Sequence, residues 1–327
     1  MIQFPDLYCP CEPHLSPHFE TIEKSTMEWA QQFNLLTSAA ALERFKKGKF
    51  ALLTARAFPV DNLEALLPIA DLNTWLFLFD DQCDETLEGK TAAHLHATTC
   101  LLMDAMINGV SLGADSTPPL VAGFSEVWQR LQKLGSDAWQ QRFINRVKEY
   151  LKACTWEAQN REHGYNPTIE QYMVARVYNG AALIEVEAVE VMYNIRLPEE
   201  VIRHEVVQQL GWLAAKLICF SNDIFSIKKE LENEEAHNLV LVIQRERNLT
   251  LQQALLEAAD IHNSMMRMFE TLEGWLPSFD VDTDYELQRY ILGLRYWIRA
   301  NFDWSLKDTR RYGLVHDETR DGYWSFK

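Results

Sequence analysis

The sequence predicts an all-α, single-domain protein, and three observations carry that prediction. Glycine and proline are scarce, at 13 and 11 of 327 residues, which suits long helices better than a turn-rich sheet protein. Apolar residues recur at helical spacing along most of the chain, and no segment alternates strictly over strand length between turn signals. Nothing in residues 1–327 reads as a repeat, a low-complexity tract or a linker long enough to separate domains. Hydrophobic residues at 47% and charged residues at 24% give the balance of a globular chain with a real core.

Residues 1–22 contain Pro5, Pro10, Pro13 and Pro17, which break any helix. This segment is expected to run extended and to pack on, or cap, the bundle. Ser25-Thr26-Met27-Glu28 has the form of a capping box, so the first helix is expected to open there. Periodicity then marks helices over 63–80, 94–108, 119–132, 136–162, 168–193, 199–228, 250–274 and 284–310. Turn residues place breaks at 113–119, 164–167, 196–198, 233–237 and 277–282.

The formal net charge of −16 disfavours nucleic acid and anionic membranes as partners, since both need basic surface. A phosphate-bearing ligand would require recruited cations. The six cysteines are too dispersed for a disulfide framework and read as reduced thiols, with a cytoplasmic location expected. No basic-then-apolar signal segment opens the chain, and no run approaches the ~18 apolar residues of a membrane span. Cys9-Pro-Cys11…His14…His18 gathers zinc-capable side chains, but the cramped spacing and three prolines argue against a tetrahedral site.

Three clusters carry chemistry. In Leu76-Phe-Leu-Phe-Asp80-Asp81-Gln-Cys-Asp84-Glu85 an apolar run ends in four acids. Asp80 and Asp84 lie four apart, on one helical face and within reach of a shared ion. Crowded hard oxygens favour Mg²⁺ or Mn²⁺. A solvated acidic helix end is the plain alternative, though acids at a helix C-terminus oppose its dipole by about 0.3–1 kcal/mol. In the second cluster, Asn222, Ser226 and Glu230 fall at i, i+4 and i+8, stacking three oxygen donors on one stripe, with Lys229 nearby. Alone, such a stripe is ordinary helix surface; two of them, each closing an apolar helix, are harder to assign to chance. The third is Trp297…Trp304…Arg311-Tyr312, where a spacing of seven keeps one face if the helix persists. Arg311 and Tyr312 offer a phosphate a fork of donors and a hydroxyl, while a core tryptophan stripe ending in a surface arginine accounts for the same pattern.

Together, Asp80-Asp81-x-x-Asp84-Glu85, Asn222-Asp-x-x-Ser226-x-x-Lys229-Glu230 and Arg311-Tyr312 resemble the three signatures of microbial class I terpene synthases, in order and at the family's layout. The resemblance extends to the Pro-rich start and to His237-Asn-Leu-Val. It implies an all-α bundle around a deep apolar pocket, with metal motifs facing across its mouth. It implies three Mg²⁺, which Mn²⁺ can replace, held by Asp80 with Asp84 or Glu85 on one side and by Asn222, Ser226 and Glu230 on the other. Asp81 is read as a neighbour of these ligands. The resemblance further implies Arg176 as diphosphate sensor, Asn179 as linker where the family commonly has Asp, and Gly180 as a helix-break position. Arg176, Lys229, Arg311 and Tyr312 would bind diphosphate. Phe77, rather than Phe79, and Trp304 would present ring faces to a carbocation, with Phe58 and Trp297 as further candidates.

The implied activity is metal-dependent ionisation and cyclisation of a linear isoprenyl diphosphate, with farnesyl diphosphate and a sesquiterpene product expected ahead of geranyl or geranylgeranyl substrates. A homodimer is compatible with the resemblance. Chain-elongating prenyltransferases would show a second Asp-rich motif where this chain has Asn222/Ser226/Glu230. A non-catalytic helical scaffold would show no metal-dependent diphosphate release.

Overall fold

The computed structural model describes residues 3–85, 91–109, 117–233, 236–316 and 324–326, with the side chains of Asp84 and Glu85 and of the residues after Leu314 outside that description. Parts of the expected breaks at 113–119 and 233–237 also lie outside the described residues. The helices are α1 (Phe19–Gln32), α2 (Ala39–Gly48), α3 (Phe50–Ala57), α4 (Leu63–Glu85), α5 (Ala92–Asn108), α6 (Pro119–Leu131) and α7 (Asp137–His163). They continue as α8 (Ile169–Asn179), α9 (Ala182–Met192), α10 (Glu199–Ile202), α11 (Glu205–Glu232), α12 (Leu239–Arg247), α13 (Leu251–Glu273) and α14 (Val281–Asp303).

Local chemistry sets many of these boundaries. Thr168 and Thr250 close full capping boxes with Gln171 and Gln253. Ser136 accepts from Trp139 N to start α7, and Gly164, at φ +62°, ends it in the left-handed conformation that glycine adopts without strain. The core is one continuous apolar cluster. α9 is buried along its whole length, and α11 buries a continuous run from Leu217 to Ser221 and again from Asp223 to Ile227. α11 is long and apolar enough to cross a membrane by length and composition, but 83% of that window is buried inside the protein, as in a core helix.

Four expectations need correction. The first helix opens at Phe19, so Ser25 to Glu28 lie inside α1 rather than at its cap. The segment 168–193 is two helices, interrupted at Gly180 and Ala181, where Ala181 takes φ +57°. The segment 199–228 is likewise divided, with His204 capping α11 after the short α10. Helix 284–310 ends as an α-helix at Asp303 and finishes in a π-helical turn, Trp304–Asp308. Arg310 N and Thr309 Oγ1 then donate to Lys47 O, which draws the chain onto α2. The pattern also missed α2, α3 and α12, and a small antiparallel ladder pairs β1 (Leu314–His316) with β2 (Trp324–Phe326).

The N-terminal segment crosses the bundle surface. Phe4 stacks on Phe225 of α11 at 5.3 Å, Tyr8 N donates to Asn263 of α13, and Arg299 of α14 donates to Cys11 O. His14 packs on Tyr296 and His18 contacts Asp61, so these histidines take partners other than the two cysteines.

Candidate active site

Between α3, α4, α7, α8, α9, α11 and α14 lies a cavity of about 100 Å³, lined by Leu53, Leu76, Phe77 and Trp297 and by Asp80, Arg176 and Asn222. α4 delivers the apolar wall and the acids together because its last turns run from core to rim. Asp80 is about half exposed, with its carboxylate 3.8 Å from Arg311. Asp81 instead takes both Nη groups of Arg311, and Lys229 Nζ lies 3.9 Å away. Burial pushes the Asp81 carboxyl up, but Arg311, Lys229 and Arg44 outweigh it and hold it below the usual carboxylate range.

α11 carries Asn222, Ser226 and Glu230 on one continuous helix. Asn222 Nδ2 donates to Tyr312 OH at 2.8 Å, and its Oδ1 accepts from Arg176 Nη2 at 3.1 Å. A second small cavity brings Asp80, Arg176, Asn222 and Glu230 to a common space. Asp80, Asn222, Glu230, Arg176 and the Arg311-Tyr312 pair therefore meet at one mouth. Ser226 is buried beneath it.

Arg176 sits deep. Its Nε donates to Asp223 Oδ1 at 2.8 Å and its Nη1 to Asn179 Oδ1 at 3.3 Å. Burial works against its charge, and Asp223, with Tyr172, Cys219 and Asp80, more than offsets that. Asp223 also accepts from Tyr172 OH and Leu239 N, joining α8, α11 and α12 through one carboxylate. Asn179 Nδ2 reaches Glu157 of α7 at 2.6 Å.

A family model described as terpene synthase family 2, C-terminal metal binding, matches residues 71–268. The chain belongs to the terpene synthases. A (+)-T-muurolol synthase of Roseiflexus castenholzii is 35% identical over 95% of this chain and 94% of its own length. A 10-epi-cubebol synthase of Sorangium cellulosum is 31% identical over 93% and 96%. The crystal structure of linalool/nerolidol synthase from Streptomyces clavuligerus superposes with a TM-score of 0.83 at 23% identity, covering 92% of this chain and 100% of that one, and shares its fold.

In this terpene synthase two of the sequence-expected rings lie away from the cavity. Trp304 is fully buried behind Phe77, its Nε1 donating to Gly48 O and Lys49 O, and it does not reach the cavity wall. Phe58 packs between Tyr193 and Trp297, also off the wall. Phe77, Tyr150 and Trp297 are the rings that line it, whereas Phe79 stacks on Trp75. The side chains of Asp84 and Glu85, which the sequence leaves as rival ligands, lie outside the described residues. Among the described residues no three His, Cys, Asp or Glu side chains converge as a ready metal cluster, because the donors are divided between α4 and α11 and include an amide and a hydroxyl.

Three residues of the site escaped the sequence reading. Asp223 follows Asn222 directly, and its signal was that a family ligand stripe needs a partner for Arg176. Glu157 and Glu185 carry no local motif. Glu185 was visible only as a carboxylate inside the apolar run from Ala182 to Met192.

Proposed function

We propose that this synthase ionises farnesyl diphosphate and cyclises the chain to a sesquiterpene, releasing diphosphate. The observation that carries the reading is the meeting of Asp80 from α4 and Asn222 from α11 at the rim of one cavity with an apolar floor. Farnesyl is preferred to geranyl or geranylgeranyl because the Roseiflexus relative is described as cyclising (2E,6E)-farnesyl diphosphate.

The donor set fits a hard divalent cation: carboxylate, carboxamide and hydroxyl oxygens, with Asp80 accessible and only loosely paired. We assign Asp80, with Asp84 or Glu85, to one side of a three-Mg²⁺ cluster, and Asn222, Ser226 and Glu230 to the other; Mn²⁺ has the same oxygen preference. Bound there, such ions supply Lewis acidity that makes diphosphate a leaving group.

The chain's own groups do the rest. Arg176, Lys229, Arg311 and Tyr312 donate to the diphosphate oxygens, where charge-assisted bonds are strongest. Each is engaged in this structure, Arg311 by Asp81 and Tyr312 by Asn222, so the substrate takes donors over rather than finding them idle. Phe77 and Trp297 turn ring faces to the allylic cation, each worth about 0.5–2 kcal/mol once water is excluded. A 100 Å³ cavity is below the about 300–1,000 Å³ of ordinary ligand pockets, so side chains around it open to admit the isoprenoid tail.

The test is diphosphate release with Mg²⁺ and each of the three prenyl diphosphates, with products identified by mass spectrometry. Farnesyl diphosphate is expected to give the highest kcat/KM, and EDTA to stop turnover until Mg²⁺ is restored. Asn222→Ala and Glu230→Ala should abolish release while Tm stays close to wild type. Turnover retained in either variant sinks the ligand assignment, and no release from any of the three substrates overturns the ionisation reading.

A further inference from the structure

The cavity wall holds one carboxyl group that the ionisation step does not use. α9 carries three buried glutamates, Glu185, Glu187 and Glu190. Two of them are met by arginines: Glu187 by Arg142 and Arg146, Glu190 by Arg142. Glu185 is 4% exposed, and neither of its carboxylate oxygens has a hydrogen-bond partner among the described residues. It sits in the first turn of α9 and lines the same cavity as Phe77, Trp297 and Gly180. A buried polar group without a partner is costly, and an apolar residue of similar size would be more stable there. Its persistence in a cavity built for hydrocarbon asks for a chemical use.

We propose that Glu185 is a catalytic acid–base residue that protonates a neutral cyclic olefin formed inside the cavity and then deprotonates the cation that results. This rests on the isoprenoid-cyclising reading above. With burial as the cause, the Glu185 carboxyl is pushed up to about 8, so the neutral acid is the resting form at pH 7. The other titratable groups on the wall are Asp80 of α4, Tyr150 of α7, Arg176 of α8 and Cys219 of α11, while α14 contributes Trp297 and Asn301. Tyr150 and Cys219 are themselves raised by burial, Cys219 to about 11, and are poorer acids than Glu185. Arg176 is held charged, and Asp80 sits at the rim with the metal stripe.

The proton lost when the first cyclic cation becomes the neutral olefin passes to the released diphosphate, and the acid–base step then balances without an external reagent. The Glu185 O–H bond breaks, its proton forms a C–H bond with one alkene carbon, and the π electrons go into that bond. A tertiary cation remains on the adjacent carbon and a carboxylate on Glu185, at the positive end of the α9 dipole. After rearrangement the carboxylate takes a proton from a carbon next to the cationic centre, those C–H electrons form the new double bond, and Glu185 is again the neutral acid. A neutral acid at rest also avoids trapping the first cation as an ester.

The experiment is turnover of farnesyl diphosphate in D₂O by enzyme equilibrated in D₂O, with diphosphate release measured alongside. Wild type is expected to give a product carrying a single deuterium. Glu185→Gln, which keeps shape and removes the proton, is expected to release diphosphate at close to the wild-type rate. Its output of the final product should fall by roughly 10²-fold or more, with an unlabelled olefin accumulating instead. An unlabelled wild-type product overturns the proposal whatever the variant does. So does Glu185→Gln with unchanged product and label. Wild type that releases no diphosphate overturns the functional reading itself, and this inference with it.

Discussion

Asn179 is the position where the resemblance implies Asp, and the structure shows what an amide does there. Its Nδ2 lies 2.6 Å from Glu157 Oε2, so an aspartate there would face a second carboxylate. Its Oδ1 meanwhile keeps the contact to Arg176 that a carboxylate would make. The amide thus satisfies an acid on one side and a guanidinium on the other, a division that a carboxylate cannot perform. Asn179→Asp is therefore expected to lower kcat and Tm together, by the about 1–3 kcal/mol typical of an unpaired buried charge contact. Glu157→Gln in the same chain should restore both, because the amide can donate to the new carboxylate. A double-mutant cycle in kcat and Tm measures this coupling; additive losses would mean that Glu157 is not the cause.

At the scale of elements, the break between α8 and α9 is the feature that periodicity could not deliver. Apolar spacing runs on through Gly180, and the absence of a side chain there is required by a neighbour on another helix. A Cβ on Gly180 would sit 2.4 Å from Cys219 Sγ of α11. Gly180→Ala is expected to cost about 1–3 kcal/mol through overpacking, and Cys219→Ala in the same chain to recover part of that loss in thermal unfolding. By contrast, the stripe of Asn222, Ser226 and Glu230 was legible because a spacing of four on an unbroken helix needs no tertiary information. The start of α1 was misread for a related reason: Ser25 to Glu28 has cap-forming residues, yet the helix was already under way from Phe19. The Trp304 to Arg311 stripe failed because Lys47 O captures the chain after the π-helical turn, so Arg311 arrives on a turn rather than on α14. Short buried helices such as α3, eight residues long, carry too little periodicity to be recognised.

For the whole molecule, titration gives an asymmetric stability profile. Burial raises Glu185 to about 8 and Glu190 to about 7, both well above an unfolded glutamate near pH 4.3. The folded chain therefore binds more protons than the unfolded chain across this interval. The stability contributed by these protons is fully present below about pH 4 and is lost as the pH rises through about 7 and 8. On the acid side, Asp81 and Asp303 are held low by their cationic partners and His262 is pushed down to about 4 by burial, so their contributions disappear as the pH falls. Tm is expected to decline between pH 6.5 and 8.5, and Glu185→Gln to flatten the upper part of that decline; a Tm that climbs over this range would refute the assignment. The same view of the molecule bears on how substrate arrives. The net charge is −16, and Arg311 and Arg176 at the mouth are already tied to Asp81 and Asp223. A bare trianionic diphosphate approaching it is repelled over a Debye length of about 8–10 Å. Encounter is thus fastest for substrate that has already shed its charge onto a divalent ion, and the order of arrival is set in solution before any residue is touched.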